Sequence, residues 1–183
     1  MTSLRSFHPL DLLSFNLINL DPLTETYDLP YYLTYLSRWP NLFSVLASPS
    51  GTLTGYLMSK TEGQPHEWHG HVTALSISPP YRRLHHAQIL MQELERLTDV
   101  YQGWFVDLFV RTGNEVAIGM YRKLGYSVYR RVVGYYSGPG GPRGDVDEED
   151  AFDMRKSMKR DVKGEHVREN GENFHVDPSS VYF

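Results

Sequence analysis

"NEVAIGMYRKLGY", residues 114–126, is a helix with both of its ends written into it. Asn114 can cap the first turn through its side-chain oxygen, Glu115 complements the helix dipole, and Gly125 supplies the stop. Asn114 and Tyr121 are two turns apart, so both lie on one face with the small Ala117 between them. Upstream, "GWFVDLFVR" (103–111) is almost continuously apolar, the look of a strand buried on both faces. Downstream, "YSVYRRVVGYY" (126–136) reads as a long strand on which Tyr135 and Tyr136 alternate faces. Strand, helix, strand in this order is an α/β signature.

Working backwards, "SISPPYRRLHHAQIL" (76–90) is a strand end, a Pro-Pro break, a basic loop and the start of another helix. A strand that passes through a short basic loop into a helix N-terminus is a common way to hold a phosphate. Such loops usually carry glycine where the backbone must approach the anion, whereas this one has His85 and His86. Histidine is found at positive φ more often than most non-glycine residues, so the loop survives the change. The two histidines are equally compatible with a solvated turn. From His86 onward, Leu90, Leu94, Leu97 and Tyr101 recur as one stripe of an amphipathic helix.

The first half supplies a short strand in "SLRSFHP", a helix in "LDLLSFNLINL" and a loop in "DPLTETYDLP". A second helix follows in "YYLTYLSRW", with Pro30 suited to its first turn. "LFSVLAS" and "TLTGYLMSKT" flank a tight turn at "PSG", and "HVTALSISP" is a further strand. After the late strand comes a flexible, then acidic, connector, "SGPGGPRGDVDEED", before "AFDMRKSM" returns as a last strand. The order is β-α-α-β-β-β-α-β-α-β-β, a mixed central sheet flanked by helices in one domain over 1–158. Residues 159–183 form a polar C-terminal tail, ordered only where a partner or a fold surface holds it.

The chain has 183 residues, 40% hydrophobic and 22% charged, with a formal charge of −4. That balance gives no reason to expect nucleic acid or an anionic membrane as a direct partner. Absence of cysteine excludes disulfides and thiolate chemistry. "MTSLRSFHPLDLL" lacks the unbroken apolar stretch of a signal peptide, and no segment approaches a membrane span, so the expected place is intracellular. "HEWHGH" (66–71) invites a zinc reading, but its histidines lack the helical i, i+4 spacing and a third ligand, so no metal is expected.

The two pieces around residues 82 and 114 resemble the Gcn5-related N-acetyltransferase (GNAT) family. Arg82, Arg83, Leu84, His85, His86 and Ala87 fall on its loop pattern, Arg/Gln-x-x-Gly-x-Gly/Ala. Asn114, Ala117, Tyr121, Leu124, Gly125 and Tyr126 fall on its helix pattern, Asn-x-x-Ala-x-x-x-Tyr-x-x-Leu-Gly-Tyr/Phe. "INLDPLTETYDLPYYLTYL", "EWHGHVTALS", "GYY" and "EEDAFDMRK" extend the likeness, over about residues 1–158, to catalytic subunits of NatB-type N-terminal acetyltransferases.

The resemblance implies a single α/β GNAT domain that moves acetyl from acetyl-CoA to the α-amine of proteins beginning Met-Asp, Met-Glu, Met-Asn or Met-Gln. It implies a large helical-repeat auxiliary subunit, nascent polypeptide N-termini as substrate, the ribosome reached through the partner, and a cytoplasmic place, with the nucleus as a second one. By family position, Ala74, Leu75, Ser76 and Ile77 join the loop residues 82–87, Asn114, Ala117 and Tyr121 in holding the cofactor. The strand amide of Leu75 or Ser76 would donate to the oxyanion, and Tyr121 would protonate the departing thiolate. Glu25, Tyr27, His71, Thr73, Tyr135 and Tyr136 would line the peptide groove, where His71 would meet the acidic second residue, assist the amine through water, or do both.

The chemistry is consistent. An α-amine titrates near about 7.7–8.0 and needs modest help at neutral pH, while a lysine amine near about 10.4 needs much more. Blander roles stay open: Tyr121 as a packed core tyrosine, Glu25 as a capping or solvated acid, His71 as a satisfied structural histidine, and the tyrosine pair as core. Two rival functions also stand: a GNAT enzyme for other N-termini, lysines or small amines, and a catalytically weak scaffold whose loop His85 has spoiled.

Overall fold

The computed structural model describes residues 2–21, 24–136 and 150–181, which excludes nearly all of the expected flexible connector (137–149). They fall into two compact units, residues 1–61 with 70–97, and residues 62–69 with 98–183.

The first unit carries β1 (Ser3–Ser6), α1 (Asn16–Asn19), α2 (Leu29–Arg38), β2 (Phe43–Ala47), β3 (Leu53–Glu62), β4 (His69–Ile77) and the start of α3 (His86–Val100). Its strands lie in the order β1-β2-β3-β4. β1 pairs antiparallel with β2, and β2 with β3, where a bulge at Leu46/Ala47 shifts the register. The core is aromatic: Phe7, Phe15, Tyr32, Tyr35, Phe43 and Tyr56 are all buried, with Phe7 stacked on Phe43 at 4.0 Å. Aromatic rings at this density bury much apolar area with few rotatable bonds, which fixes the angle of α2 on the strands.

"LDLLSFNLINL" departs from the expected helix. It forms a 3-10 turn at Pro9–Leu13 and then the single-turn α1. The cause is local: His8 and Asp11 make a reciprocal capping box around Pro9, and Arg5 grips Asp11 at 2.7 Å and 2.8 Å. The box sets where the turn begins, and the turn closes at Ser14, whose N–H donates to Asp11 O before α1 starts at Asn16. Of this stretch the core takes Phe15 and Ile18, while Leu10, Leu13, Leu17 and Leu20 are 65%, 78%, 65% and 80% exposed.

The second unit carries β5 (Phe105–Arg111), α4 (Glu115–Lys123), β6 (Ser127–Val132), β7 (Ala151–Ser157) and β8 (His175–Val176). The order is β5-β7-β6-β8: β7 enters between β5 and β6 and pairs antiparallel with both, whereas β8 runs parallel to β6, so the sheet is mixed. Burying β7 between two strands places charge inside. Asp153 is fully buried and holds Arg130 at 2.8 Å and Arg155 at 3.0 Å. Arg155 in turn lies 3.7 Å over the ring of Tyr129 and 4.4 Å over that of Phe105.

Two further differences from expectation concern this unit. The late strand ends at Val132 and does not reach Tyr136. Gly134 takes φ +68°, which turns the chain, so Tyr135 and Tyr136 sit on a turn and not on alternate faces of a strand. β8 is an added strand within the segment read as a tail. That segment has a surface to lie on: Arg168 sits 4.1 Å over Tyr129, and Gly171 meets the backbone of Val128 so closely that a side chain would collide. No helix among the described residues is long and apolar enough to cross a membrane.

Candidate active site

In the first unit the strand β4 presents His71, which is buried, and Thr73, which is partly buried. The hydroxyls of Tyr35 on α2 and Thr73 are 2.7 Å apart, so helix and strand are joined at the residue expected on the groove floor. The expected groove residues Glu25 and Tyr27 precede α2. Tyr27 donates its hydroxyl to Glu25 at 3.3 Å and stacks on Tyr31 at 4.6 Å. Burial, and then the Glu25 charge, push the Tyr27 phenol above its ordinary range, so it stays a neutral donor. Its backbone N–H donates to Tyr32 Oη at 3.1 Å, and Asn19 bridges Tyr32 and Tyr56 at 3.1 Å and 3.0 Å. Residues 24–28 contain no helix or strand, yet this network fixes them.

After β4 and the short Pro79–Tyr81 turn comes the loop that leads into α3. Arg83 and His85 both have φ +62°. Histidine therefore occupies the left-handed conformation that the glycine of the family pattern would take. Left-handed residues in a turn swing neighbouring amides toward one concavity that suits an anion, and the first amides of α3 lack intrahelical acceptors. The loop backbone thus fits a pyrophosphate. Arg82 ties it down: its Nε donates to Ile77 O at 3.1 Å and its Nη2 lies 3.1 Å from Asp21.

The two histidines of the loop differ. His85 is exposed and its Nδ1 meets Gln88 Oε1 at 3.0 Å. His86 is buried, parallel to Tyr81 at 6.0 Å, and burial lowers its pKa, so it is a neutral packed ring at neutral pH. Of the pair, only His85 stands at the loop surface.

In the second unit Asn114 caps α4 as expected, its Oδ1 accepting the Ala117 N–H at 3.2 Å. Tyr121 is buried at 7% exposure and meets Tyr126 edge-on at 6.0 Å. Burial, with Tyr136 adding to it, raises the Tyr121 phenol above its ordinary range. A phenol held protonated at neutral pH can donate a proton and will not act as a base. Tyr135 stacks flat on Phe109 at 4.7 Å, and the Arg111 guanidinium lies 3.9 Å over the ring of Tyr136. Sequence reading missed Asn19, Arg111 and Phe109 as supports. The glycine of "VVGYY" was the available signal that a turn, not a strand, carries the tyrosines. His69, a member of the "HEWHGH" cluster, stacks on Phe105 at 4.4 Å with its Nδ1 at Glu67 O.

The chain belongs to the GNAT family of acetyltransferases: the model of the Acetyltransferase (GNAT) family matches residues 12–126. The fold is a single α/β GNAT domain with mixed strand pairing among the described residues. Within the family the chain is similar to the N-terminal acetyltransferase B complex catalytic subunit naa20 of Schizosaccharomyces pombe, 52% identical and covering 100% of both chains. It is also 52% identical to N-alpha-acetyltransferase 20 of Dictyostelium discoideum, over 91% of this chain and 92% of that one. Among solved structures, Chaetomium thermophilum Naa20 in complex with a bisubstrate analogue is 46% identical with a TM-score of 0.91, covering 99% of this chain and 100% of that one. The match includes the segment after 158, which the sequence resemblance left out.

Proposed function

We infer that the chain is the catalytic subunit of a NatB-type N-terminal acetyltransferase, transferring acetyl from acetyl-CoA to the α-amine of proteins that begin Met-Asp, Met-Glu, Met-Asn or Met-Gln. The observation that carries this is the full-length likeness, at about half identity, to a NatB catalytic subunit. The geometry of the loop and of α4 supports it. Acetyl-CoA supplies the activated thioester, and the chain supplies the rest. The amides from Leu84 to Ala87, with the N-terminus of α3 behind them, hold the pyrophosphate. The Leu75 amide on β4, with Ser76 beside it, donates to the negative charge that develops on the thioester oxygen. As the carbon–nitrogen bond forms and the carbon–sulfur bond breaks, the Tyr121 hydroxyl gives its proton to the departing sulfur and recovers one from solvent, which balances the proton the amine releases. The proton lost by the amine leaves through water, and His71 on β4 offers its imidazole N–H to the carboxylate or amide oxygen of the residue after Met.

Glu25 holds the substrate's ammonium and Tyr27 packs on its backbone, and Tyr135 and Tyr136 bind the peptide backbone as well. The partner is a large helical auxiliary subunit. The exposed leucines 10, 13, 17, 20, 29 and 33 give it an apolar surface larger than two short helices need for their own packing. The ribosome is reached through that partner, and the place of action is the cytoplasm, where nascent chains emerge.

The test uses the full chain co-purified with its auxiliary subunit, acetyl-CoA, and a Met-Asp peptide that also holds an internal lysine. Fragment mass spectrometry should find the acetyl group on the α-amine. Acetyl on the lysine, or no transfer at all, would overturn the reading in favour of another acceptor or a scaffold.

A further inference from the structure

Asp150, the residue before β7, is a buried carboxylate at 4% exposure that the reaction described above does not use. Both of its carboxylate oxygens are engaged, in different directions. Oδ2 accepts from Arg131, with Nε at 2.7 Å and Nη2 at 2.6 Å. Oδ1 accepts the backbone N–H of Gly134 at 2.7 Å. Its main-chain oxygen accepts the N–H of Thr112 at 3.1 Å, just ahead of the Asn114 cap. Gly134 is the left-handed residue that ends β6, and Tyr135 and Tyr136 follow it directly. Their rings lie edge-on at 4.9 Å, one stacked on Phe109 and the other under Arg111.

Arg131 occupies one of the two carboxylate oxygens. The second oxygen does something else: it fixes the one amide from which the tyrosine turn departs. A charge-assisted bond at a buried site is stronger and shorter than a neutral one, so it holds direction as well as distance. We propose that Asp150 is a positioning residue for peptide binding: through Gly134 it sets the turn that aims Tyr135 and Tyr136 at the substrate backbone. This rests on the reading of the two tyrosines as groove residues.

The test compares Asp150→Asn with Arg131→Lys, Tyr135→Ala and Tyr136→Ala, each in the full chain with its auxiliary subunit. Asn turns one of the two acceptors into a donor, facing either Arg131 or Gly134. Lys keeps the cation and leaves the Gly134 bond in place. For Asp150→Asn, peptide KM should rise about tenfold while kcat and acetyl-CoA affinity hold within about twofold, and amide exchange at 133–136 should quicken. Arg131→Lys should lower Tm without either effect. Unchanged exchange at the turn in Asp150→Asn, or KM losses that match those of Arg131→Lys, would overturn the proposal directly. Unchanged peptide KM in both tyrosine variants would overturn it through the reading on which it rests.

Discussion

Tyr35 on α2 and Thr73 on β4 share a hydrogen bond of 2.7 Å between their hydroxyls, thirty-eight residues apart in sequence. The bond couples the helix behind the groove to its expected floor. Tyr35→Phe keeps the ring in the aromatic core and removes only the hydroxyl. Stability should fall by about 0.5–1.5 kcal/mol, the net worth of one such bond, as read by denaturant unfolding. Peptide KM should rise with it. A variant as stable as the wild type would show that the bond does not fasten helix to strand.

His85 at φ +62° carries the conformation of a glycine with the side chain of a histidine. The left-handed form costs an L-residue roughly 1–2 kcal/mol, and glycine gives back about 0.5–1 kcal/mol in chain entropy. His85→Gly should therefore change acetyl-CoA affinity little and leave stability equal or slightly higher. His85→Val, β-branched at positive φ, should weaken acetyl-CoA binding severely by forcing the loop open. Calorimetric titration with acetyl-CoA measures both. Equal affinity in the Val variant would mean that the loop backbone is not the cradle.

Tyr121 is held protonated by burial, with Tyr136 beside it. Tyr121→Phe should lower kcat by roughly 10²–10⁴-fold with acetyl-CoA affinity nearly unchanged. The raised phenol also fixes the alkaline behaviour of the wild type. Its folded pKa lies above the unfolded value, so the stability linked to that proton is fully present below about pH 10 and is lost as pH rises beyond it. Tyr27 and Tyr56, raised mainly by burial, act in the same direction. Thermal unfolding against pH should show that decline starting above, and not below, about pH 10.

How much of this was legible in the sequence differs by element. α4 was, because its cap, its spacing and its glycine stop are all local; so was the loop after β4, down to a histidine that tolerates positive φ. The stretch from Pro9 to Leu20 was not. Its leucines at mixed helical spacing suggested one helix. The chain instead makes two short turns from which Phe15 and Ile18 enter the core and Leu12 packs against it, while Leu10, Leu13, Leu17 and Leu20 face outward. Periodicity shows that a face is apolar without saying what covers it, and a partner's surface imitates a core stripe. The tyrosine turn was missed for another reason. "YSVYRRVVGYY" is rich in strand formers up to the end, and the carboxylate of Asp150, sixteen residues beyond Gly134, accepts the amide at the bend. Local propensity does not report a distant tether.

Leu13, Leu17 and Leu20 are the exposed residues that the auxiliary subunit should cover. Leu17→Asp should weaken the complex by about tenfold or more, the worth of one well-buried leucine, with the Tm of the isolated chain unaffected. Analytical ultracentrifugation or biolayer interferometry would read it. Unchanged affinity would move the docking surface elsewhere.

An imidazole at position 71 on β4 that reads the residue after Met makes this enzyme prefer Met-Asp over Met-Leu α-amines. The most direct measurement is the ratio of kcat/KM for Met-Asp over Met-Leu peptides, in the wild type and in His71→Ala. An imidazole N–H given to a carboxylate or amide oxygen is worth roughly 1.5–3 kcal/mol, or about 10- to 150-fold. The wild-type ratio should favour Met-Asp by at least that lower figure, and His71→Ala should collapse it by lowering Met-Asp alone. A wild-type ratio near one, or an equal fall for both peptides in the variant, would contradict the account.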